Sequence, residues 1–167
     1  PMEAVGHPTA CAEDGLADLS ARLTGLGASA ARWYQADQTD RTAVDQTLAK
    51  VVEDLGPIGV LVANAGFARM ASVEDISTTL WSRHIDINLT GTFNMCQATA
   101  RQMIAARSGG AICVVSSCLA KFHSDQNIAY CTSKAALLTM VRALAAELGV
   151  HRIRANAVLP GVIETAM

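Results

Sequence analysis

Apolar residues recur along the chain with two different periods, and the alternation between them predicts its elements. Leu16, Leu19, Leu23 and Leu26 fall three or four apart, a helical stripe from about Asp14 to Leu26 that Gly27 ends. Ala31 to Ala36 reads as a short strand. Asp40 stands as N-cap to a helix reaching Leu55, with Val44, Leu48, Val51, Val52 and Leu55 on one face and Gly56-Pro57 as its stop. Ile58 to Ala63 is a continuous apolar run, as a strand covered on both faces would be. A long helical region from about Thr78 to Arg107 ends before Gly109-Gly110. Ala111 to Val115 is the next strand, Ile128 to Leu148 the next helix and Ile153 to Leu159 the last strand. Strands alternating with helices predict an α/β fold, a parallel sheet with helices on both faces.

Composition narrows this picture. At 167 residues, 51% apolar and 17% charged, the chain fits one globular domain with a sizeable core. Residues 1–12 hold two prolines, a glycine and no period, so 1–13 reads as a loose segment ahead of a domain over 14–167. A net charge of −2 argues against nucleic-acid or anionic-membrane partners, and no apolar run suggests a membrane span. The five cysteines, Cys11, Cys96, Cys113, Cys118 and Cys131, show neither paired nor metal-type spacing, which fits reduced thiols in a cytoplasmic protein. His7, His84 and His151 are scattered and suggest no metal site.

Candidate chemistry gathers at residues 114–134. The strand Ala111 to Val115 ends in Ser116 and Ser117, a polar loop follows, and the next helix carries Tyr130 and Lys134 in its first turns. Positions i and i+4 share a helix face, so phenol and ammonium stand side by side. The loop is long enough to bring the Ser117 hydroxyl to the same point, at the strand end where open α/β sheets place ligands. An ammonium beside a phenol stabilises the phenolate. Such a trio suits proton exchange at an oxygen while a hydride moves at the attached carbon, and the hydride implies a nicotinamide cofactor.

This stretch resembles the active site of the short-chain dehydrogenase/reductase family, NAD(P)-dependent oxidoreductases on a Rossmann sheet. The resemblance implies that Ser117 orients substrate, Tyr130 is the general acid/base and Lys134 its activating partner. Other motifs match in order. Ala63-Asn64-Ala65-Gly66 resembles the family's Asn-Asn-Ala-Gly, with alanine in place of the first asparagine. Asn88 in Asp-Ile-Asn-Leu-Thr-Gly matches the helical asparagine that completes the tetrad. Asp37 in Ala-Asp-Gln-Thr-Asp matches the acidic residue at the adenine ring. Pro160, Gly161, Thr165 and Met167 match the segment lining the nicotinamide site. Implied cofactor contacts are therefore Asp37, Asn64, Ala65, Gly66, Tyr130, Lys134, Pro160, Gly161 and Thr165.

Each assignment has a plainer counterpart. Asn88 can simply bend its helix, Asp37 can serve as a turn carboxylate, Asn64 can tie neighbouring loops, and Cys118 and Cys131 can be packing residues. His123 reads as a solvated loop histidine beside Lys121, Phe122 and Gln126.

The family's opening glycine-rich turn has no counterpart here. Thr24-Gly25-Leu26-Gly27 ends a helix instead of following a strand. The expectation is a partial doubly wound (Rossmann-like) sheet, lacking the N-terminal βαβ segment and the C-terminal lid. Strand 31–36 then shifts to pair with 58–63, or another chain pairs that edge, or further residues lie outside this sequence. The resemblance implies NAD or NADP as cofactor, a small-molecule secondary alcohol or ketone as substrate, and a homo-dimer or homo-tetramer through helices 78–107 and 128–149. The alternative is a catalytically silent, associating domain.

Overall fold

The computed structural model describes Asp18 and residues 21–163. The expected loose segment 1–13 and the positions Thr165 and Met167 lie outside the described residues. The chain divides after Ala36 into two compact units.

In the first unit, residues 21–25 are helical, and the helix ends as its glycine implies. The Ala28 N–H reaches back to the Leu23 carbonyl at 3.1 Å while Gly27 takes φ +99°. Residues 31–36 form no strand, which corrects the expectation for that stretch. A strand exists only through its ladder. Residues 31–36 take part in no ladder of the described sheet.

The second unit is built on three parallel strands, β1 (Val60–Ala63), β2 (Gly110–Val115) and β3 (Ile153–Val158). Helices α1 (Arg41–Leu55), α2 (Thr78–His84), α3 (Thr92–Ala106) and α4 (Ile128–Leu148) connect and cover them. Asp40 caps α1 as expected, its carboxylate accepting from the Thr42 N–H at 2.8 Å and the Ala43 N–H at 3.1 Å. Val44 and Leu48 turn inward from α1 to pack with Ala98 of α3.

The main core lies between the sheet and α3 and α4. Met103, Ile112, Leu137 and Ile153 are fully buried there, each stabilising by about 1.5–3 kcal/mol. Burial alternates along the strands. Ile112, Val114, Ile153 and Ala155 face the helices, whereas Val60 and Val62 are 64% and 60% exposed. The run 58–63 is therefore covered on one face among the described residues, because β1 is an edge strand and the helices that flank it lie on one side.

The helical region expected over 78–107 is continuous but not uniform. Ile85–Gly91 forms a π-helical segment between α2 and α3. The wider turn is held by side chains: Gln38 donates to the Ile87 carbonyl at 2.8 Å and Thr92 to the Asn88 carbonyl at 2.8 Å. Gly91 makes room for Gln38, whose Cγ lies 2.6 Å from where a Cβ would stand.

By length and composition Ile128–His151 could cross a membrane, which departs from the absence of any span-like run expected above. In this fold it is the helix that packs on β3, with Lys134 buried and bonded to the end of β2.

Candidate active site

The carboxyl ends of β1 and β2 carry the polar residues that the sequence singles out. Two bonds staple the start of α4 to the end of β2. Ser116 Oγ donates to the Lys134 carbonyl at 2.8 Å, and Lys134 Nζ donates to the Val115 carbonyl at 2.9 Å. Lys134 is only 5% exposed, and burial lowers its pKa from the usual lysine value. Among the described residues it makes no ion pair, so a backbone carbonyl dipole holds the ammonium. Its nitrogen lies 5.8 Å from the centroid of the half-buried Tyr130 ring, as i,i+4 spacing dictates.

Ser117 follows β2 directly, 8% exposed and in extended backbone. Its Oγ accepts from the Leu119 N–H at 3.2 Å and opens a short 3-10 turn, Cys118–Ala120, that packs on α4. Among the described residues its hydroxyl proton has no acceptor, and the Tyr130 phenol forms no hydrogen bond.

Asn64, Ala65 and Gly66 lie exposed at the end of β1. A Cβ on Gly66 would stand 3.3 Å from Lys134 Nζ and 3.4 Å from Asn88 Oδ1. The Gly66 backbone therefore passes close in front of the ammonium, where a side chain would crowd it. Asn88 is fully buried. Its Oδ1 accepts from the Phe67 N–H at 2.7 Å, and its Nδ2 donates to the Phe67 carbonyl at 2.9 Å and to Ser133 Oγ at 3.0 Å. The π-helical turn thus aims Asn88 at the loop after β1 and at α4 together.

The Pro160 carbonyl accepts from the Cys118 N–H at 2.9 Å, which sets Pro160-Gly161 beside the Ser117 turn. Asp37 takes a turn geometry, its Oδ1 accepting from both the N–H and the hydroxyl of Thr39 at 2.8 Å. His123 and Gln126 line a cleft of about 420 Å³ with Ala71, Val73, Ile128 and Cys131, a lining that includes neither Ser117 nor Tyr130. The four described cysteines are free thiols, and no metal-holding cluster of His, Cys, Asp or Glu occurs among the described residues.

Sequence reasoning passed over Ser116, Ser133, Gln38 and His84. Ser116 and Ser117 are identical neighbours, and only the staple to Lys134 separates their roles. Nothing in the local pattern marks the other three.

Comparison with known proteins gives the family. The family model for short chain dehydrogenases matches residues 6–167, so the chain belongs to the short-chain dehydrogenase/reductase family. It is 38% identical over 154 residues to a D-threitol dehydrogenase of Mycolicibacterium smegmatis, covering 92% of this chain and 58% of that protein. It is 35% identical, over 92% of its length and 63% of the relative's, to a protein of Xanthobacter autotrophicus named inactive 2-(S)-hydroxypropyl-CoM dehydrogenase 2. Carveol dehydrogenase from Mycobacterium avium in complex with NAD superposes with a TM-score of 0.86 at 32% identity, over 96% of this chain and 57% of that one. The chain thus spans roughly three-fifths of these relatives.

Proposed function

We propose that the protein is an NAD(P)-dependent oxidoreductase that interconverts a secondary alcohol and its ketone, with Tyr130 exchanging the proton at the substrate oxygen. The observation that carries this reading is the buried Lys134 ammonium, fixed by the Val115 carbonyl beside the Tyr130 ring. A cation held there stabilises a phenolate as it forms. Ser117, with its hydroxyl proton uncommitted, holds the substrate oxygen in line with the phenol. Asn88 fixes the wall that faces Lys134.

The residues present fit a nicotinamide cofactor. Gly66 lets the backbone pass close to Lys134 where any Cβ would crowd the ammonium, and Asn64 and Ala65 are exposed beside it. Asp37, Asn64, Ala65, Gly66, Tyr130, Lys134, Pro160, Gly161 and Thr165 would hold it. The bound cofactor supplies the hydride acceptor or donor. Similarity to the D-threitol enzyme and to the NAD complex supports a small alcohol as substrate and NAD or NADP as cofactor.

Turnover of small polyols and secondary alcohols with NAD and NADP, in the parent and in Tyr130→Phe, tests this. Removal of a general acid/base costs about 10²–10⁴-fold. Activity of Tyr130→Phe within a few-fold of an active parent refutes the assignment.

A second reading is an associating domain without turnover, acting as a homo-dimer or homo-tetramer through α3 and α4. Similarity to a relative named inactive favours it, as does the exposure of Phe93 and Ile128 on these two helices. Fluorescence titration with NADH and NADPH separates the readings, since micromolar binding counts against a silent domain.

A further inference from the structure

His84 closes α2 with an imidazole that has no exposed surface. Its Nδ1 lies 2.9 Å from the Leu80 carbonyl. A carbonyl has no proton to give, so Nδ1 carries the ring proton and donates it. Nε2 is then a bare acceptor, and the Arg69 N–H donates to it at 3.2 Å. The partners on its two sides thus select one neutral tautomer.

The same ring meets Phe67, with centroids 4.8 Å apart and planes at 57°. The Arg83 guanidinium lies 4.4 Å from the Phe67 centroid. Four residues beyond His84, the Asn88 amide engages both backbone groups of Phe67. The strip Phe67–Arg69 is therefore held at two points, His84 and Asn88, by one continuous helical run. That strip begins at Gly66, whose Cβ direction points at Lys134 Nζ.

We propose that His84 is a positioning residue, whose neutral imidazole clamps Phe67 and Arg69 so that the Gly66 wall stays against Lys134 and keeps water from the ammonium. Asn88 fixes the strip at Phe67, and the Ala71 N–H donates to the Gln126 carbonyl at 2.8 Å beyond it. His84 holds the Arg69 N–H in the span between those two anchors. The clamp stands on its own geometry, and only its consequence for turnover rests on the catalytic reading above.

The test follows Lys134 itself. Its side-chain carbon resonance, recorded against pH, reads how far burial depresses its titration. In His84→Met, which fills the space without an acceptor, that titration moves up toward the ordinary lysine range. In His84→Gln, whose Oε1 can accept from Arg69, it stays near the parent. Thermal melts confirm that both variants are folded. Where the parent turns over, kcat falls roughly tenfold or more in His84→Met and recovers in His84→Gln. A folded His84→Met with the Lys134 titration unmoved overturns the proposal, as does a His84→Gln displaced as far as the methionine variant.

If His84→Met does not fold, the ring nitrogen resonances of the parent decide. A protonated Nδ1 with a bare Nε2 supports the clamp, and a proton on Nε2 overturns it. A parent without turnover but with these Lys134 shifts intact refutes the catalytic reading alone and leaves the clamp standing.

Discussion

Lys134 donates to the carbonyl of Val115, the last residue of β2, across 2.9 Å. One bond thereby ties the helix that carries the candidate phenol to the strand that delivers the candidate serine. The neighbouring bond from Ser116 Oγ to the Lys134 carbonyl doubles the tie. Orientation of these groups is set at the carboxyl end of the central strand and does not depend on loop order alone.

Lys134→Met is expected to abolish turnover in an active parent and to alter the pH dependence of stability. Burial holds the native pKa of Lys134 below its unfolded value. Between those two values the unfolded chain binds more protons than the native one, so stability rises with pH. The contribution is complete above the unfolded value and lost as pH falls through the native one. Chemical denaturation of parent and variant at neutral pH and in the alkaline range checks this. The difference in stability between them tilts toward the parent as pH rises, and a difference independent of pH contradicts it.

Asn88→Leu is expected to destabilise strongly. It strips partners from the Phe67 N–H, the Phe67 carbonyl and Ser133 Oγ at once. Orphaning a buried polar group costs about 1–3 kcal/mol. A denaturation midpoint within error of the parent shows that the loop finds other partners.

The glycines separate by environment. Gly109 has φ +66° and its Cβ would stand 2.8 Å from the Arg152 carbonyl oxygen, so Gly109→Ala is expected to cost about 1–3 kcal/mol. Gly149 has φ −57° and open space around its Cβ. Gly149→Ala is therefore expected to stabilise by about 0.4–1 kcal/mol through the unfolded chain. Thermal melts that rank the two variants the other way contradict the assignment.

Cys96 is fully buried, and burial pushes its thiol up to about 12. Cys113, Cys118 and Cys131 are partly accessible. A thiol-alkylating reagent at mildly alkaline pH is expected to modify those three while sparing Cys96 until the protein unfolds, with peptide mass spectrometry as the readout.

Much of the second unit was legible because its signals are local. Asp40 as N-cap, Gly56 as stop and the whole of Ile128–Leu148 follow from spacing within a few residues, and the structure keeps those bounds. The strand over 31–36 was misread because β propensity is realised only against a neighbour. The helix over 78–107 hid its π-helical turn because that turn is held by Gln38, fifty residues away in sequence from the Asn88 it helps aim.

The sequence by itself determined the helix periods, the caps, the motif order and the pairing of Tyr130 with Lys134 on one face, since each depends on neighbours at fixed offsets. Only the tertiary structure decided that a strand-end carbonyl holds Lys134, that Asn88 clamps Phe67, and that a buried His84 braces the same strip. Those contacts join residues 15 to 21 positions apart, and hydrogen bonds at that range become visible only when the sheet brings the segments together.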